Sequence, residues 1–485
     1  MIRHAQRLGL PSLCILAGII PFLFSQSHID VGYTLLTADP GSSVPVGTAL
    51  FTVTNSQGVL VSQAGVAAAD PILSGRIFVD ESGPLTGIAL VNPSQQEASV
   101  TFILRDASGQ EVNRTTRQLK AGTHLPIFVS ELFAPLPASF TTGSLTFESN
   151  QKLAAIALRQ NSNAHGEPLY ATLPVADLAS PASSQSLVFP QIAAGGGYTT
   201  QLLLINTTAQ TLKGNITLTD SGGHPLLLLS NGKSDSQFAY SIDPHGTFRA
   251  DFDRSADTKA GYALLTPDPG TSAPAGSAVF QYRLNQSLVT EAAVAATSLT
   301  SSARIFVDNV GCYTGVALAN PAAQSTLVTF TLLDRFGSAL DSTTRTLPAQ
   351  GHIAIFAHEL FSTLSSSFTG LMEISSPTPV APITLKLLSN SRSEYILTTL
   401  PVADLSRPPT ATSVIFPQIA IGGGFSTRLI FISTDKNKNL AGTLSFFNSN
   451  SSPMTVPGVT IRMTSRFTGP LLFPGSSVCS QTATL

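Results

Sequence analysis

The chain has 485 residues, of which 43% are hydrophobic and only 11% are charged, and its formal net charge is −2. This composition argues against an intrinsically disordered chain, and the length exceeds one ordinary core, so we expect several domains. The chain has no basic cluster, which argues against nucleic acid as a partner, because phosphate binding needs grouped lysine and arginine. Abundant Ser, Thr, Asn, Gly and Pro favour sheets joined by turns over long helices.

Residues 1–27 have the pattern of a signal peptide. Basic residues precede the apolar run 8–24, and Ser25 and Ser27 occupy the −3 and −1 positions of a cut after Ser27. The run contains Pro11 and Pro21 and is shorter than the about 20 residues of a typical spanning helix. We therefore predict a secreted or cell-surface protein with no membrane span after cleavage. An uncleaved anchor is the alternative.

An internal repeat organises the rest of the chain. RIFVD at residues 76–80 recurs unchanged at 304–308, a shift of 304 − 76 = 228. FPQIA at 189–193 recurs at 416–420, and a triple glycine follows each copy. The long period halves, because Asn92 maps to Asn206 and Asp106 maps to Asp220, both by a shift of 114. The sequence therefore predicts a unit of about 114 residues, a pair of which is duplicated.

Each unit shows the period-two pattern of a half-buried strand, with apolar Val100, Phe102 and Leu104 alternating with other side chains. Asp106 opens and Gly109 closes the turn that follows, as type I geometry favours. Strands are expected near Ile77, Leu90, Phe102, Arg117, Ile127, Leu145 and Ile156, with an eighth near Tyr170. Further turns are expected at Asn55, Asn161, Asn285 and Asn390, and short helical turns at 131–133 and 359–361. This count predicts an all-β chain of tandem immunoglobulin-like or fibronectin-like β-sandwich modules. A β-propeller, whose blades are shorter, is the alternative.

Stretches rich in Pro and Ser at 176–186 and 403–413, with weaker ones at 69–74 and 297–302, predict linkers. Cutting there gives a signal peptide at 1–27, a partial β-module at 28–70, whole modules at 71–179, 183–297 and 302–406, and a partial module at 411–485. The two partial modules lack complementary strands. One hypothesis is that they pair, within one chain or between neighbours, as in strand complementation. A shifted boundary, degenerate caps or a truncated chain are the alternatives.

The sequence predicts no catalytic residue, no cofactor and no metal. His124, His245 and His352 occupy equivalent places, but no nucleophile or further ligand recurs with them, so we interpret them as turn histidines bonded to backbone. His358 and Glu359 lack the second histidine of a zincin motif. The glycines at 195–197 and 422–424 lack the lysine of a phosphate loop and are interpreted as hairpin loops.

The acidic, basic and cysteine residues leave some alternatives open. A weak calcium site near Asp80 and Glu81 is one, although Asn309 replaces Glu81 in the second copy and calcium prefers clustered acids. Asp39, Asp268 and Asp308 also stand singly near Gly or Pro. Arg76 and Arg304 either contact a ligand or, as the simpler interpretation, pair with Asp80 or cover a sandwich edge. Cys14, Cys312 and Cys479 form neither a disulfide framework nor a zinc site, and a Cys312–Cys479 bridge is the one pairing considered. Asn-x-Ser/Thr sequons occur at Asn113, Asn206, Asn215, Asn285 and Asn450.

The FPQIA pattern with its triple glycine, together with the strand TGIALVNP at 86–93, resembles repeats in large, uncharacterised proteins secreted by soil bacteria, over nearly all of residues 32–460. The resemblance implies an extracytoplasmic location and a fold class, and it brings no catalytic residues. We predict a non-enzymatic secreted or cell-surface protein that acts as an adhesive or binding module or as a spacer, with polysaccharide or a surface protein as its partner. One alternative is a self-associating scaffold that assembles end to end through its incomplete terminal modules. The other is an extracellular hydrolase with a site between modules.

Overall fold

The computed structural model describes residues 28–253, 257–435, 441–454 and 460–463. The predicted signal peptide lies outside these residues, as do Cys14 and Cys479 and therefore the bridge considered for Cys312. The described residues are almost all β-strand in antiparallel sheets, with two four-residue helices, so the all-β prediction is confirmed.

The elements follow in chain order. Residues before 72 form β1 (Asp30–Ala38), β2 (Val46–Thr54) and β3 (Leu60–Ala67). Residues 72–177 form β4 (Ile72–Asp80), β5 (Leu85–Val91), β6 (Ala98–Asp106), β7 (Glu111–Leu119), β8 (His124–Phe128), α1 (Val129–Leu132), β9 (Thr142–Ser162), β10 (Pro168–Leu173) and β11 (Ala176–Asp177). Residues 187–295 form β12 (Leu187–Ala194), β13 (Tyr198–Ile205), β14 (Leu212–Asp220), β15 (Leu228–Ser230), β16 (Lys233–Asp235), β17 (Gln237–Ile242), β18 (Thr247–Phe252), β19 (Lys259–Pro267), β20 (Ala275–Leu284) and β21 (Ser287–Ala295).

Residues 300–404 form β22 (Thr300–Asp308), β23 (Tyr313–Ala319), β24 (Thr326–Leu333), β25 (Ala339–Leu347), β26 (His352–Phe356), α2 (Ala357–Leu360), β27 (Thr369–Ser389), β28 (Tyr395–Leu400) and β29 (Val402–Asp404). The last elements are β30 (Ser413–Ile421), β31 (Phe425–Ile432), β32 (Gly442–Asn448) and β33 (Thr460–Met463). Helices α1 and α2 lie at the helical turns that the sequence predicted.

Apart from β15 and β16, which form a two-stranded sheet, the strands form four pairs of facing sheets, and each pair encloses an apolar core. The terminal sheet pair is β30-β1-β32 and β3-β2-β31-β33. The first sheet pair is β11-β4-β9-β6-β7 and β8-β5-β9-β10, and the second is β12-β19-β14-β17 and β18-β13-β20-β21. The third is β25-β24-β27-β22-β29 and β26-β23-β27-β28. In the first and third pairs one 21-residue strand, β9 or β27, belongs to both sheets.

The two ends of the chain complete one another. Strand β1 lies between β30 and β32, so that Leu36 is in register with Val414 on one side and with Leu444 on the other. Strand β2 lies between β3 and β31. The segment 28–70 therefore supplies the middle strands of sheets whose other strands come from 413–463. The hypothesis that the two partial modules pair is confirmed, and the pairing is within one chain.

The four sheet pairs contact each other in a closed ring. Buried apolar side chains from each sheet pair also pack against the core of a neighbouring pair. The sheets that lie between two cores therefore carry apolar side chains on both faces. The bridging side chains are Phe128, Leu158 and Tyr170 against the terminal core, Leu203 and Val279 against the first, Ala317 and Ile383 against the second, and Phe306 and Leu371 against Leu50 and Ile430 of the terminal pair.

One strand from each pair lies at the centre of the ring. Strands β3, β10, β21 and β28 contact one another in cyclic order and define its axis. Thr172 Oγ1 donates to the carbonyl of Gly65 at 2.7 Å, and Thr399 Oγ1 donates to the carbonyl of Ala293 at 3.1 Å. A Cβ on Gly65 would lie 2.6 Å from the carbonyl oxygen of Thr399, so only glycine allows this approach of backbones.

A buried asparagine holds the loops of three sheet pairs in the same way. The Asn206 side chain, fully buried, donates to the carbonyls of Gln210, Ile242 and Asp243 at 2.7, 3.1 and 2.8 Å. Asn92 and Asn320 donate to corresponding carbonyls in the first and third pairs. Each of these residues ends its strand and ties two loops together, which explains why the sequence repeats it.

Replacing Asn206 by alanine should lower the free energy of unfolding by about 3 kcal/mol, because buried carbonyls then lose their donor. Asn215→Ala, an exposed change in the same sheet pair, should alter stability by less than about 0.5 kcal/mol. Urea unfolding of both variants checks this, and equal effects would contradict the role given to Asn206.

Some sequence expectations need correction. The strands expected at Leu145 and Ile156 are one continuous strand, β9. The turn before β10 is opened by Asn163, whose amide donates to the carbonyl of Glu167 at 3.0 Å, and not by Asn161, which lies within β9. The stretch predicted as a linker at 176–186 begins with β11, which pairs with β4. The predicted turn closed by Gly109 is confirmed, and Gly223 and Gly337 close the equivalent turns, each glycine having a positive φ.

Candidate functional site

The repeated arginines lie at the seams, the contacts between neighbouring sheet pairs. Arg76 is buried, and its guanidinium donates to Thr146 Oγ1 at 2.8 Å and across the seam to the carbonyl of Asn206 at 2.6 Å. Arg304 reaches the carbonyl of Ser433 in the terminal pair in the same manner, and also pairs with Glu373. The interpretation that Arg76 pairs with Asp80 is therefore wrong. Burial lowers the pKa of Arg76 to about 10, with the nearby charge of Arg105 adding to the effect.

The repeated histidines also lie at seams. His245 lies at the seam of Arg76, and His124 and His352 lie at the two seams that have no repeated arginine. His352 Nε2 lies 2.9 Å from Oε1 of Gln191, the glutamine of the repeated FPQIA sequence, in the neighbouring sheet pair. His124 is equally buried, and its Nδ1 lies 3.2 Å from Ser449 Oγ of the terminal pair. His245 Nδ1 lies 3.3 Å from Arg76 Nη1. His124 and His352 also bond backbone, at Pro417 and Pro190, so the interpretation that these histidines bond backbone holds for those two. The side-chain contacts between sheet pairs add to it.

A buried ion network joins the first and second sheet pairs. Arg159 contacts the carboxylates of Asp80 at 2.8 Å and of Glu291 at 3.0 Å, and all three side chains are at most 2% exposed. Arg249 adds a second cation at 3.2 Å from Asp80, and Gln281 donates to Glu291 at 2.6 Å. Two cations thus face two carboxylates, so the buried charges compensate one another.

The opposite seam carries a simpler version of the same network. Lys386 contacts Asp308 at 2.9 Å, and Arg428 approaches the same carboxylate at 3.6 Å. Gln63 stands in the chain where Glu291 stands one long period later, 291 − 63 = 228 residues apart. Because Gln63 is neutral, this seam has one buried carboxylate fewer than the seam of Glu291. The two halves of the ring therefore differ in their buried charge.

The weak calcium site considered at Asp80 and Glu81 finds no support in this geometry. Asp80 is engaged by Arg159, Arg249 and the hydroxyl of Ser82. Within the described residues, no three His, Cys, Asp or Glu side chains are grouped so that they could hold a metal ion. Asp39 and Asp268 each open a separate turn, after β1 and β19.

Glu81 itself is perturbed. Burial raises the pKa of its carboxyl to about 7, against the hydrogen bond from the amide of Thr86, and Asp80 adds to the rise. The folded state then holds a proton that the unfolded state has lost above pH 4.5, so this group costs stability as the pH rises from 4.5 to 7.

Glu81→Gln should therefore raise the free energy of unfolding at pH 8 by about 2 kcal/mol and leave it unchanged at pH 4. The exposed Glu97→Gln is the matched control and should have no effect at either pH. Thermal melting at the two pH values checks this, and the same shift at both would contradict the titration of Glu81.

Polar turns of several sheet pairs meet at one end of the axis. We call Asn55, Asn163, Glu167, Asn390 and Arg392 the axial turn cluster. Glu167 accepts from Asn55 of the terminal pair at 2.6 Å and from Arg392 of the third pair at 2.6 Å. Asn390 Nδ2 donates to the carbonyl of Leu60 at 3.0 Å. Although burial raises it, the pKa of Glu167 is lowered on balance by Arg392, Asn163 and Asn55.

The remaining sequence candidates are scattered. Each triple glycine makes a tight turn, such as the one between Gly195 and Tyr198, but this turn joins two facing sheets and so is not a simple hairpin loop. His358 stacks on Phe356 and contacts Tyr313 at the surface. Of the sequons, Asn206 is fully buried and cannot carry a glycan without unfolding, whereas Asn113, Asn215, Asn285 and Asn450 are exposed.

Several residues that join the sheet pairs carry no signal in the sequence. Glu167 and Arg392 lie in loops of no recognisable motif, and Glu291 has no acidic counterpart in the other half. A signal did exist for two histidines and two glutamines. His124 and His352 recur with the long period, as do Gln191 and Gln418, although polar side chains are not expected at buried strand positions.

No protein family model matches the chain, and no curated protein matches it significantly. Along the described residues, no helix has the length and apolar character needed to cross a membrane.

Proposed function

We propose that this chain is a non-enzymatic secreted or cell-surface protein that serves as a binding module or spacer. In this proposal each sheet pair is an immunoglobulin-like or fibronectin-like β-sandwich, and the repeat of about 114 residues, duplicated as pairs, accounts for four of them. The observation that carries the proposal is the axial turn cluster, where turns of three sheet pairs bond to one another and present one composite surface. Binding surfaces are commonly built on such loops over a rigid scaffold.

The use of the ionisable residues supports a non-enzymatic role. Arg76, Arg304, His124 and His352 recur in the sequence, and each is buried and contacts a neighbouring sheet pair. Their recurrence is explained by ring closure. Burial at these contacts accounts for the lowered pKa values of Arg76, His124 and His352 without chemistry on a substrate.

The test is binding of purified residues 28–485 to bacterial and plant polysaccharides and to intact cells of the source organism. We expect saturable binding that survives raised salt, since the net charge is small. Arg392→Ala, which opens the axial turn cluster, should weaken it, while the exposed Arg335→Ala in a distant turn should not. A well-folded, monodisperse protein that binds neither polysaccharide nor cells would contradict the binding role and leave the spacer role as the proposal.

A second candidate is a scaffold that assembles end to end. It is favoured by the central position of β1 and β2, since the N-terminal segment of one copy could fill the same place in another by strand exchange. We expect oligomers on light scattering at high concentration. A monomer at every concentration would contradict it.

A further inference from the structure

Three of the eight tyrosines of the chain lie together at the seam between the second and third sheet pairs. We call Tyr198, Tyr282 and Tyr395 the tyrosine cluster. Tyr198 and Tyr282 face each other in register on β13 and β20, with ring centroids 4.7 Å apart. Tyr395 at the start of β28 meets Tyr282 edge to face at 6.4 Å and is 46% exposed.

The rings are held rigidly. Gly197, at φ +93°, lets the chain turn tightly, and a Cβ there would lie 3.1 Å from the ring of Tyr282 and 2.3 Å from the carbonyl of Arg283. The amide of Arg283 donates to the carbonyl of Gly197 at 2.8 Å, which closes the same turn. Because the backbone fixes Tyr198 and Tyr282, the cluster would lose little conformational entropy on binding.

The other half of the ring does not have this cluster. Strand register and the long period place Phe425, Val53 and Pro168 where Tyr198, Tyr282 and Tyr395 lie, at shifts of 425 − 198 = 227, 282 − 53 = 229 and 395 − 168 = 227. In the other half Phe425 packs instead on Tyr170 of β10, with ring centroids 6.1 Å apart, and Tyr170 is buried. The fold therefore does not require tyrosine at the three positions of the cluster.

Arg283 does not belong to the cluster. Residues 281 and 283 share one face of β20 and Tyr282 lies on the other, and Nη1 of Arg283 donates to Gln281 Oε1 at 2.6 Å. The exposed side chain of Leu284 continues the apolar surface.

We propose that the tyrosine cluster is a binding site for a polysaccharide, whose pyranose ring stacks its C–H face on the exposed ring of Tyr395 while its hydroxyl groups bond to the tyrosine hydroxyls. Flat aromatic faces beside fixed polar groups suit a ligand that is itself flat, apolar on its faces and polar on its rim. A protein partner would need roughly 800 Å² on each side, far more than three rings and one leucine provide. This inference rests on the proposed binding function and names its ligand class.

The chain contains no tryptophan, so its emission comes from its eight tyrosines, three of which form the cluster. Residues 28–485 would be titrated with cellohexaose and with chitohexaose, and the change in tyrosine emission recorded. We expect saturable quenching by at least one of the two. The dissociation constant should rise at least tenfold in Tyr395→Ala and in Tyr282→Val, the latter taking the residue found in the other half.

Tyr313→Ala is the matched control, because Tyr313 is 49% exposed and also packs on aromatic neighbours, but lies elsewhere on the third sheet pair. Its affinity should equal that of the unmodified chain. If oligosaccharide binding persists unchanged in a Tyr282→Val, Tyr395→Ala double variant of normal melting temperature, the site is wrong while the binding function stands.

If neither oligosaccharide binds, the polysaccharide inference is overturned. Binding to intact cells, measured on the same samples, then separates the two failures. Cell binding without oligosaccharide binding refutes only the tyrosine cluster as a polysaccharide site, and loss of both refutes the binding function as well.

Discussion

A chain that begins at residue 71 should lose the folded structure of residues 413–463, in the largest effect that we expect from any change. Strands β30 and β32 contact each other only through β1, which lies between them, and β31 loses β2 as its antiparallel neighbour. Removal of β1 and β2 would also uncover Phe416, Phe431 and Leu444, which are now at most 1% exposed. Replacing even one buried phenylalanine by alanine typically costs about 3–5 kcal/mol.

The measurement is hydrogen exchange and limited proteolysis of residues 413–448, together with thermal melting. The deleted chain should show rapid exchange across β30 and β31 and a melting temperature lower by more than about 10 °C. A chain cut after Asp70 by an engineered protease site is the matched control. It keeps β1 to β3 in place by non-covalent packing and should retain protection in β30 and β31.

Unchanged melting and unchanged protection after deletion would mean that the C-terminal strands fold without their N-terminal partners. The ring would then be a set of independent units in contact. Loss of protection in the first and third sheet pairs as well would indicate the opposite limit, in which ring closure stabilises all four, as the shared cores suggest.

Much of the strand content could be predicted because its signals are local. The alternation of Val100, Phe102 and Leu104 matches three buried side chains on one face of β6. The Asp106–Gly109 turn depends on one aspartate and one glycine with a positive φ of 84°. Such features need only neighbouring residues, so a single sequence contains them.

The contacts between sheet pairs could not be predicted in the same way. The bond from Arg76 to the carbonyl of Asn206 joins residues 130 apart, and its acceptor is backbone, which carries no sequence signal. The simpler interpretation assigned Arg76 to Asp80 because the two are close in sequence. In strand β4, however, residues 76 and 80 are four positions and so about 13 Å apart. Asp80 instead pairs with Arg159 from a neighbouring strand.

The tyrosine cluster was missed for a related reason. Tyr198, Tyr282 and Tyr395 are far apart in the chain, and although Tyr198 follows the repeated triple glycine, the second copy has Phe425 in its place. Their significance appears only when the ring brings β13, β20 and β28 to one seam. The tyrosine cluster is therefore found from the differences between the two halves of the ring, and not from the residues that they share.

Acid should weaken the ring through its two buried histidines. Burial lowers the pKa of His124 to about 3 and that of His352 to about 4, outweighing the neighbouring Gln418, Pro417 and Pro190, which act in the opposite direction. In the unfolded chain each histidine takes up a proton near pH 6.5. Between pH 6.5 and about 4 the unfolded state therefore binds more protons than the folded state, and stability falls as the pH falls.

The expected loss between pH 7 and pH 5 is about 2 kcal/mol for each histidine, so about 4 kcal/mol for the pair. Burial also lowers the pKa of His245, which adds to this loss, whereas the raised pKa of Glu81 works against it. A His124→Gln, His352→Gln double variant isolates the two rings, because it leaves His245 and Glu81 in place.

Urea unfolding at pH 7 and pH 5 should show that the unmodified chain loses about 4 kcal/mol more than the double variant. Replacing the exposed His28 and His224 by glutamine is the matched control and should leave the pH dependence unchanged. Parallel pH profiles for the unmodified chain and the double variant would show that the buried rings do not govern acid stability.

The position of the two histidines also predicts where the ring opens. His124 lies at the seam between the terminal and first sheet pairs, and His352 at the seam between the second and third. The other two seams are held by Arg76 and Arg304 and by the ion pairs of Arg159 with Asp80 and of Lys386 with Asp308, although His245, whose pKa burial also lowers, contacts Arg76. Acid should therefore divide the ring into halves, and a protease at pH 5 should first cut the connections near Ala69 and Thr297, which the closed ring protects by bridges to Ile415 and Val188.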